Sequence, residues 1–299
     1  MKIGVLGIIL AGWLVIGAGM AGEASLLMAK LDNPEEQIAT AAQLNPWNDL
    51  DPKELKLRSE AVLVVDPEGE VVYAKNADAP RPIASITKLM TAMVVLDHKL
   101  PLDQSITITK DDRDLIKLTG SRLIKGATLA RKEVLQLALM ASENRAANAL
   151  ARTYPNGREA FVEAMNAKAT SLGMKHSRFI DPAGLDPNNV ASARDVVAML
   201  HAAQGYPLIE QATTTREMTV HPFKTRGPLR FVNTNRLMKN DKWKIELSKT
   251  GYSNEAGRCL AMQAAIAEHS LTIVFLDSFG KLTPFGDSNR LRHWIENGL

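Results

Sequence analysis

Apolar and polar positions divide the chain into contrasting stretches. Residues 3–21 are almost unbrokenly apolar, whereas residues 25–57 are polar and interrupted by Pro34, Pro46 and Pro52. Regular patterning begins with two β-rich runs, residues 61–65 and 70–74, either side of Asp66-Pro67-Glu68-Gly69. That arrangement predicts a hairpin. After Pro80 and Pro82 an apolar run over residues 85–98 reads as a central helix. Residues 105–109 alternate weakly, and segments 131–153, 158–172 and 192–203 carry helical spacing. Between the last two, residues 181–189 are rich in turn formers and are expected as a surface loop. Strand patterns return at residues 243–250, 258–267 and 271–277, with Glu268-His269-Ser270 as a hairpin turn. A short helix over 288–297 closes the chain. Strands, then helices, then strands predict an α+β fold. Its antiparallel sheet is built from both chain ends, with a helical subdomain over about 100–242 inserted between them.

The first residues read as an address. Lys2 precedes the apolar run, and Gly17, Ala18, Gly19, Ala21 and Gly22 close it. A positive start, an apolar core and a small-residue end are the anatomy of an export signal, with cleavage expected after Ala21 or Ala24. The rival reading is an uncleaved anchor, since about 20 apolar residues can span a bilayer. Gly17, Gly19 and Gly22 also match a dinucleotide-binding spacing. That motif needs a strand before it and a helix after it in a folded domain, so it is set aside here. The expected organisation is a signal over 1–24, a polar spacer over 25–58, a catalytic domain over 59–281 and a C-terminal helix over 282–299.

Composition narrows the function classes. Apolar residues make up 45% of the 299, enough for a globular core, and the net charge is only +3. Basic residues are scattered among acidic ones, with no basic run interleaved with aromatics, which argues against a nucleic-acid groove. The single cysteine, Cys259, excludes an intramolecular disulfide and reads as a buried strand residue. None of the six histidines has metal-ligand spacing, so no metal and no cofactor are expected.

Three short motifs carry chemistry. Ser85-Ile86-Thr87-Lys88 sets a serine and a lysine three apart at a helix start, on one face. A lysine held partly neutral by burial or by a second cation can take the serine proton. Ser142-Glu143-Asn144 follows a long apolar stretch. Residues two apart do not share a helix face, so Ser142 and Asn144 act together only at a break between helices; otherwise the triplet is a helix cap. Lys249-Thr250-Gly251 ends a strand in which Trp243, Ile245 and Leu247 alternate in phase with Lys249. A lysine on an apolar face reaches a cleft or snorkels to the strand end. Gly251 would let another backbone approach, and an exposed edge there could add a peptide as a strand. Taken singly each motif has an ordinary structural reading. In this order, 57 and 107 residues apart, they form the set known from penicillin-binding proteins and β-lactamases.

With their surroundings, residues 82–92, Ser142-Glu143-Asn144-Arg145-Ala146-Ala147, Asp181-Pro182-Ala183-Gly184-Leu185 and Lys249-Thr250-Gly251-Tyr252, the chain resembles the low-molecular-mass penicillin-binding proteins, the serine D-alanyl-D-alanine peptidases. The resemblance covers about residues 61–280. It implies Ser85 as the acylated nucleophile, Lys88 as its base, Ser142 as a proton relay and Asn144 as a contact to the substrate amide. Lys249 and Thr250 would bind the substrate carboxylate side, Lys249 would also hold down the Lys88 pKa, and the N–H groups of Ser85 and Tyr252 would form the oxyanion hole. The implied partners are peptidoglycan stem peptides and cross-links, with β-lactams as covalent inhibitors, in the periplasm. About 22 residues follow Asp277, room for neither a second β-rich domain nor a membrane-lying helix. By resemblance to the short endopeptidase branch, cross-link cleavage is therefore expected over trimming of terminal D-alanine. A β-lactamase would need a group to activate the deacylating water. Glu163 and Asn166 have suitable spacing but fall in a helical pattern with Phe161, Met165 and Leu172. A non-catalytic wall-binding protein would be expected to have damaged motifs.

Overall fold

The computed structural model describes residues 45–299, so the predicted export signal lies outside the described residues. Residues 46–49 form a 3₁₀ turn, and the body that carries the site runs from Leu50 to Leu299. Among the described residues no helix is long and apolar enough to cross a membrane. The strands are β1 (Ser59–Val65), β2 (Val71–Lys75), β3 (Arg81–Pro82), β4 (Ser105–Thr107), β5 (Thr128–Ala130), β6 (Val190–Ala191), β7 (Glu217–Val220), β8 (Leu229–Val232), β9 (Lys244–Ser253), β10 (Gly257–Ile266) and β11 (His269–Ser278). The helices are α1 (Lys88–Asp97), α2 (Arg131–Met140), α3 (Asn144–Arg152), α4 (Gly157–Ser171), α5 (Ala193–Ala203), α6 (Pro207–Thr214) and α7 (Thr283–Gly298).

The main sheet has the order β2-β1-β11-β10-β9, antiparallel throughout. Ala61 lies opposite Leu276 and Leu63 opposite Val274, so the first strand of the body pairs with the last. Side chains alternate between faces with a period of two. One set, Ala61, Leu63, Ala261, Val274 and Leu276, joins the core shared with the helices. The alternate set, Val62, Val64, Leu260, Ile273 and Phe275, is equally buried, and α7 packs on these strands. Burial on both faces explains why the middle strands read as continuous apolar runs. Helix α1 is buried from Lys88 through Val95, as a helix apolar all round must be. It packs against α2, α3, α4, α5 and α6.

Several sequence expectations need correction. The 181–189 loop is not a surface loop: Pro182, Ala183, Gly184, Leu185 and Asn189 are buried. The polar spacer ends earlier than expected. Leu50 and Leu55 are buried, and the Trp294 indole donates to the Asp51 carbonyl at 3.0 Å, so residues from 50 onward belong to the folded body. The phase along β9 is broken by a bulge. Ile245 lies opposite Ala264 and Leu247 opposite Gln263, successive residues that face opposite ways. The last hairpin turns at Ala267 and Glu268, both left-handed, between the paired Ile266 and His269. Helix α7 begins at Thr283 rather than 288, with Pro284 in its first turn. Helix α6 and the β7–β8 hairpin have no counterpart in the sequence reading.

Candidate active site

The chain enters the site along β3, pinned to β6, and Ile83 N–H donates to the Asn189 carbonyl at 3.0 Å. Ala84 then takes a left-handed φ of 45°, an unusual conformation that sets up the 3₁₀ turn Ala84–Thr87 ahead of α1. Ser85 sits in this turn and Lys88 opens the helix. The Lys88 Nζ is within 2.7 Å of Ser85 Oγ, 2.8 Å of Asn144 Oδ1 and 2.7 Å of the Ala183 carbonyl. Lys88 is fully buried. Burial lowers its pKa from 10.5 to about 7, against the opposing pull of Asp181, Glu143 and Asp114. Near neutrality a large fraction is therefore free amine. Such an amine can keep two N–H bonds, to Asn144 and Ala183, and turn its lone pair toward the Ser85 hydroxyl.

Helix α2 ends at Met140 and α3 begins at Asn144. Between them Ser142 has a left-handed φ of 57° and Glu143 is extended, so the backbone break expected from the two-residue spacing is present. The Ser142 hydroxyl accepts from Lys249 Nζ at 2.9 Å. The Asn144 amide is oriented from both ends: its oxygen faces Lys88 and its Nδ2 donates to Thr119 Oγ1 at 2.9 Å. Thr119 Oγ1 in turn donates to Asp114 at 2.7 Å. Glu143 turns the other way, accepting from Ser121 at 2.8 Å, and burial raises its pKa.

Strand β9 is one of the two edge strands of the sheet among the described residues, the other being β2. Lys249 is buried, and its pKa is held well below the ordinary value by burial and by the nearby Lys88 cation. For Lys88, burial is the main cause of the lowering, and the repulsion between the two ammonium groups acts in the same direction on both lysines. Thr250 Oγ1 donates to Thr234 Oγ1 at 2.6 Å. A Cβ on Gly251 would lie 2.8 Å from the Ile83 carbonyl and 3.3 Å from Ser85 N, so glycine allows β9 to close on the serine turn. Tyr252 follows, exposed. The structure thus brings Ser85, Lys88, Ser142, Asn144, Lys249, Thr250, Gly251 and Tyr252 to one cleft of about 350 Å³, whose lining includes Ser85, Ser142, Thr250, Gly251 and Tyr252.

A family model described as D-alanyl-D-alanine carboxypeptidase, peptidase S11, matches residues 48–280. The chain belongs to this family of serine D-Ala-D-Ala peptidases. It is 48% identical over 266 residues to a D-alanyl-D-alanine endopeptidase of Pseudomonas aeruginosa, covering 87% of this chain and 85% of that protein. An Escherichia coli D-alanyl-D-alanine endopeptidase is 47% identical over 244 residues, covering 81% and 79%. The crystal structure of the Streptomyces K15 DD-transpeptidase superposes with a TM-score of 0.74 at 25% identity, covering 81% of this chain and 98% of that one.

In this S11 peptidase the sequence motifs leave out one wall of the site. The buried loop after Ile180 delivers the Ala183 carbonyl to Lys88. Asp181 holds the loop by accepting from the N–H groups of Ala183, Gly184, Leu185 and Asp186. Asn189 accepts from Ile180 N–H at 2.6 Å and donates to the Asp181 carbonyl at 2.8 Å, while Thr91 donates to the Pro182 carbonyl at 2.6 Å. Gly184 has φ +74°, and a Cβ there would lie 1.9 Å from the Ala84 carbonyl. The available signal was the combination of an Asx-turn former and a glycine between helices. Asn166 is not aimed at the cleft. It clamps Phe179, accepting from its N–H at 2.9 Å and donating to its carbonyl at 2.8 Å. Cys259 is buried, with its thiol pushed up to about 12, which leaves it inert as a nucleophile. Among the described residues no three His, Cys, Asp or Glu side chains come together as a metal site.

Proposed function

We propose that this S11 peptidase is a periplasmic D-alanyl-D-alanine endopeptidase that hydrolyses peptidoglycan cross-links through an acyl-enzyme on Ser85. The carrying observation is the buried Lys88, near-neutral in pKa and bonded to Ser85 Oγ. In the proposed mechanism the Lys88 amine takes the Ser85 proton as Oγ attacks the carbonyl of the D-alanine that is joined to the second stem peptide. The developing oxyanion is received by the N–H groups of Ser85 and Tyr252, aided by the positive end of α1. Asn144 holds the substrate amide, while Lys249 and Thr250 take the carboxylate side. The C–N bond breaks as the proton taken up by Lys88 is relayed through Ser142 to the leaving amine, which returns Lys88 to its free-amine form. Water then attacks the ester with Lys88 again as base, and Ser85 recovers its proton. No cofactor enters these steps. The free edge of β9 suits a substrate that adds as an extra strand.

The choice of cross-links over terminal D-alanine is supported by the two relatives named endopeptidases. β-Lactams would acylate the same serine. The deciding assay offers purified enzyme both cross-linked dimers and pentapeptide monomers. Faster cleavage of dimers is expected; D-alanine release from monomers much faster than dimer cleavage would favour the carboxypeptidase reading.

A further inference from the structure

Beyond the catalytic motifs, the cleft carries an uncompensated concentration of positive charge. Arg236, Arg258 and Lys281 line it together, and among the described residues no carboxylate does. None of the three has a carboxylate within ion-pair distance among the described residues. The acidic groups nearest in sequence are engaged elsewhere. Glu255 pairs with Lys117, Asp277 pairs with Arg81, and Asp287 pairs with Arg290 while accepting from the N–H groups of Arg58 and Ser59. Arg258 is also held in place. It lies opposite Tyr252 in the β9–β10 ladder, and its guanidinium sits 3.4 Å from the centre of the tyrosine ring. The stack fixes the charge one residue beyond Gly251 while leaving its edge N–H groups for an anion. Phe285 adds an apolar wall to the same cavity.

We infer that Arg258, Lys281 and Arg236 form a subsite for the acidic peptide that departs when a cross-link is cut. This deepens, and rests on, the endopeptidase reading. The two possible leaving groups differ in charge and length. A terminal D-alanine carries one carboxylate and a methyl group, and Thr250 with its neighbours suffices for it. The amine leaving from a cross-link belongs to a second stem peptide with several free carboxylates and an aliphatic connecting chain. Three cations around about 350 Å³, with aromatic surface from Tyr252 and Phe285, exceed the needs of the first and match the second. Arg258 and Lys281 are thus specificity-determining residues rather than participants in bond making.

The experiment compares three substrates: a cross-linked dimer with free acceptor carboxylates, the same dimer with those carboxylates amidated, and a pentapeptide monomer. Rates are normalised to the fraction of enzyme that titrates with labelled penicillin, which corrects for misfolded protein. For the unmodified enzyme, amidation should raise KM for the dimer about tenfold with kcat little changed, the size expected for losing one charge-assisted hydrogen bond. Arg258→Gln and Lys281→Gln should each lower the dimer-to-monomer ratio of kcat/KM. Neither variant should respond to amidation as the parent does. Indifference of the unmodified enzyme to amidation, or an equal loss on dimer and monomer in the variants, overturns the subsite while leaving the endopeptidase reading intact. Failure of the unmodified enzyme to cut any dimer overturns both.

Discussion

The loop that presents the Ala183 carbonyl to Lys88 can be tested with a matched pair of glycines. Gly173 and Gly184 both adopt left-handed backbone, at φ +70° and φ +74°. An alanine in that conformation costs about 1–2 kcal/mol. At Gly173 a Cβ would meet nothing within 4 Å, so Gly173→Ala should cost this conformational amount alone. At roughly 2–4 °C per kcal/mol for a chain of this size, Tm falls by a few degrees. At Gly184 the Cβ would sit 1.9 Å from the Ala84 carbonyl, 2.4 Å from its carbon and 2.8 Å from Thr87 Oγ1. These are rigid atoms of the serine turn, so the loop must move away. Its movement withdraws the Ala183 acceptor from the buried Lys88, and a buried donor left unpaired costs about 1–3 kcal/mol. Gly184→Ala should therefore lose more stability than Gly173→Ala and acylate with penicillin roughly ten- to a hundredfold more slowly, taking 1.4 kcal/mol per tenfold. Melting curves and stopped-flow acylation on both variants measure this. Equal Tm losses with wild-type acylation in Gly184→Ala would refute the reasoning.

Acylation should rise with pH through about 7 as Lys88 loses its proton, and a pH–rate profile of Lys88→Arg should lack that limb. Stability carries the same signature. The folded pKa of Lys88 is depressed, so between about 7 and its ordinary 10.5 the unfolded chain binds more protons and stability rises with pH. Melting across that window should be steeper in the wild type than in Lys88→Met. Thr119→Val removes the hydroxyl that orients Asn144 and leaves Nδ2 without that acceptor; acylation should slow with little change in the pH midpoint, read from the same profiles. Chelation by EDTA should leave dimer hydrolysis unchanged, and activity lost to EDTA and restored by zinc would contradict a metal-independent mechanism.

Much of the site was legible because its side chains are held by local backbone features with sequence correlates. The three-residue spacing of Ser85 and Lys88, the impossibility of Ser142 and Asn144 sharing a helix face, and the glycine after Lys249-Thr250 each constrain geometry from the sequence itself. The two-ended sheet was readable for a similar reason: strands buried on both faces are apolar throughout. What was not legible depends on groups that every residue possesses. The third partner of Lys88 is the main-chain carbonyl of Ala183, and its delivery depends on Asp181 and Asn189, whose turn-forming character suggested solvent exposure. The bulge before Leu247 broke an alternation that looked continuous. The β7–β8 hairpin was not legible because each strand is only four residues long, too short for the alternation of Met218 and Val220 or of Leu229 and Phe231 to stand out. The depth of Lys88 burial, which accounts for its lowered pKa, is a property of the packed helices and not of its neighbours in sequence.

The central claim is that Ser85 is acylated with Lys88 as base. Peptide mapping by mass spectrometry after incubation with a β-lactam tests it most directly. One adduct per chain, on Ser85, is predicted, lost in Ser85→Ala and formed far more slowly in Lys88→Met. A stable adduct on another residue, or full labelling of Ser85→Ala, would contradict the account.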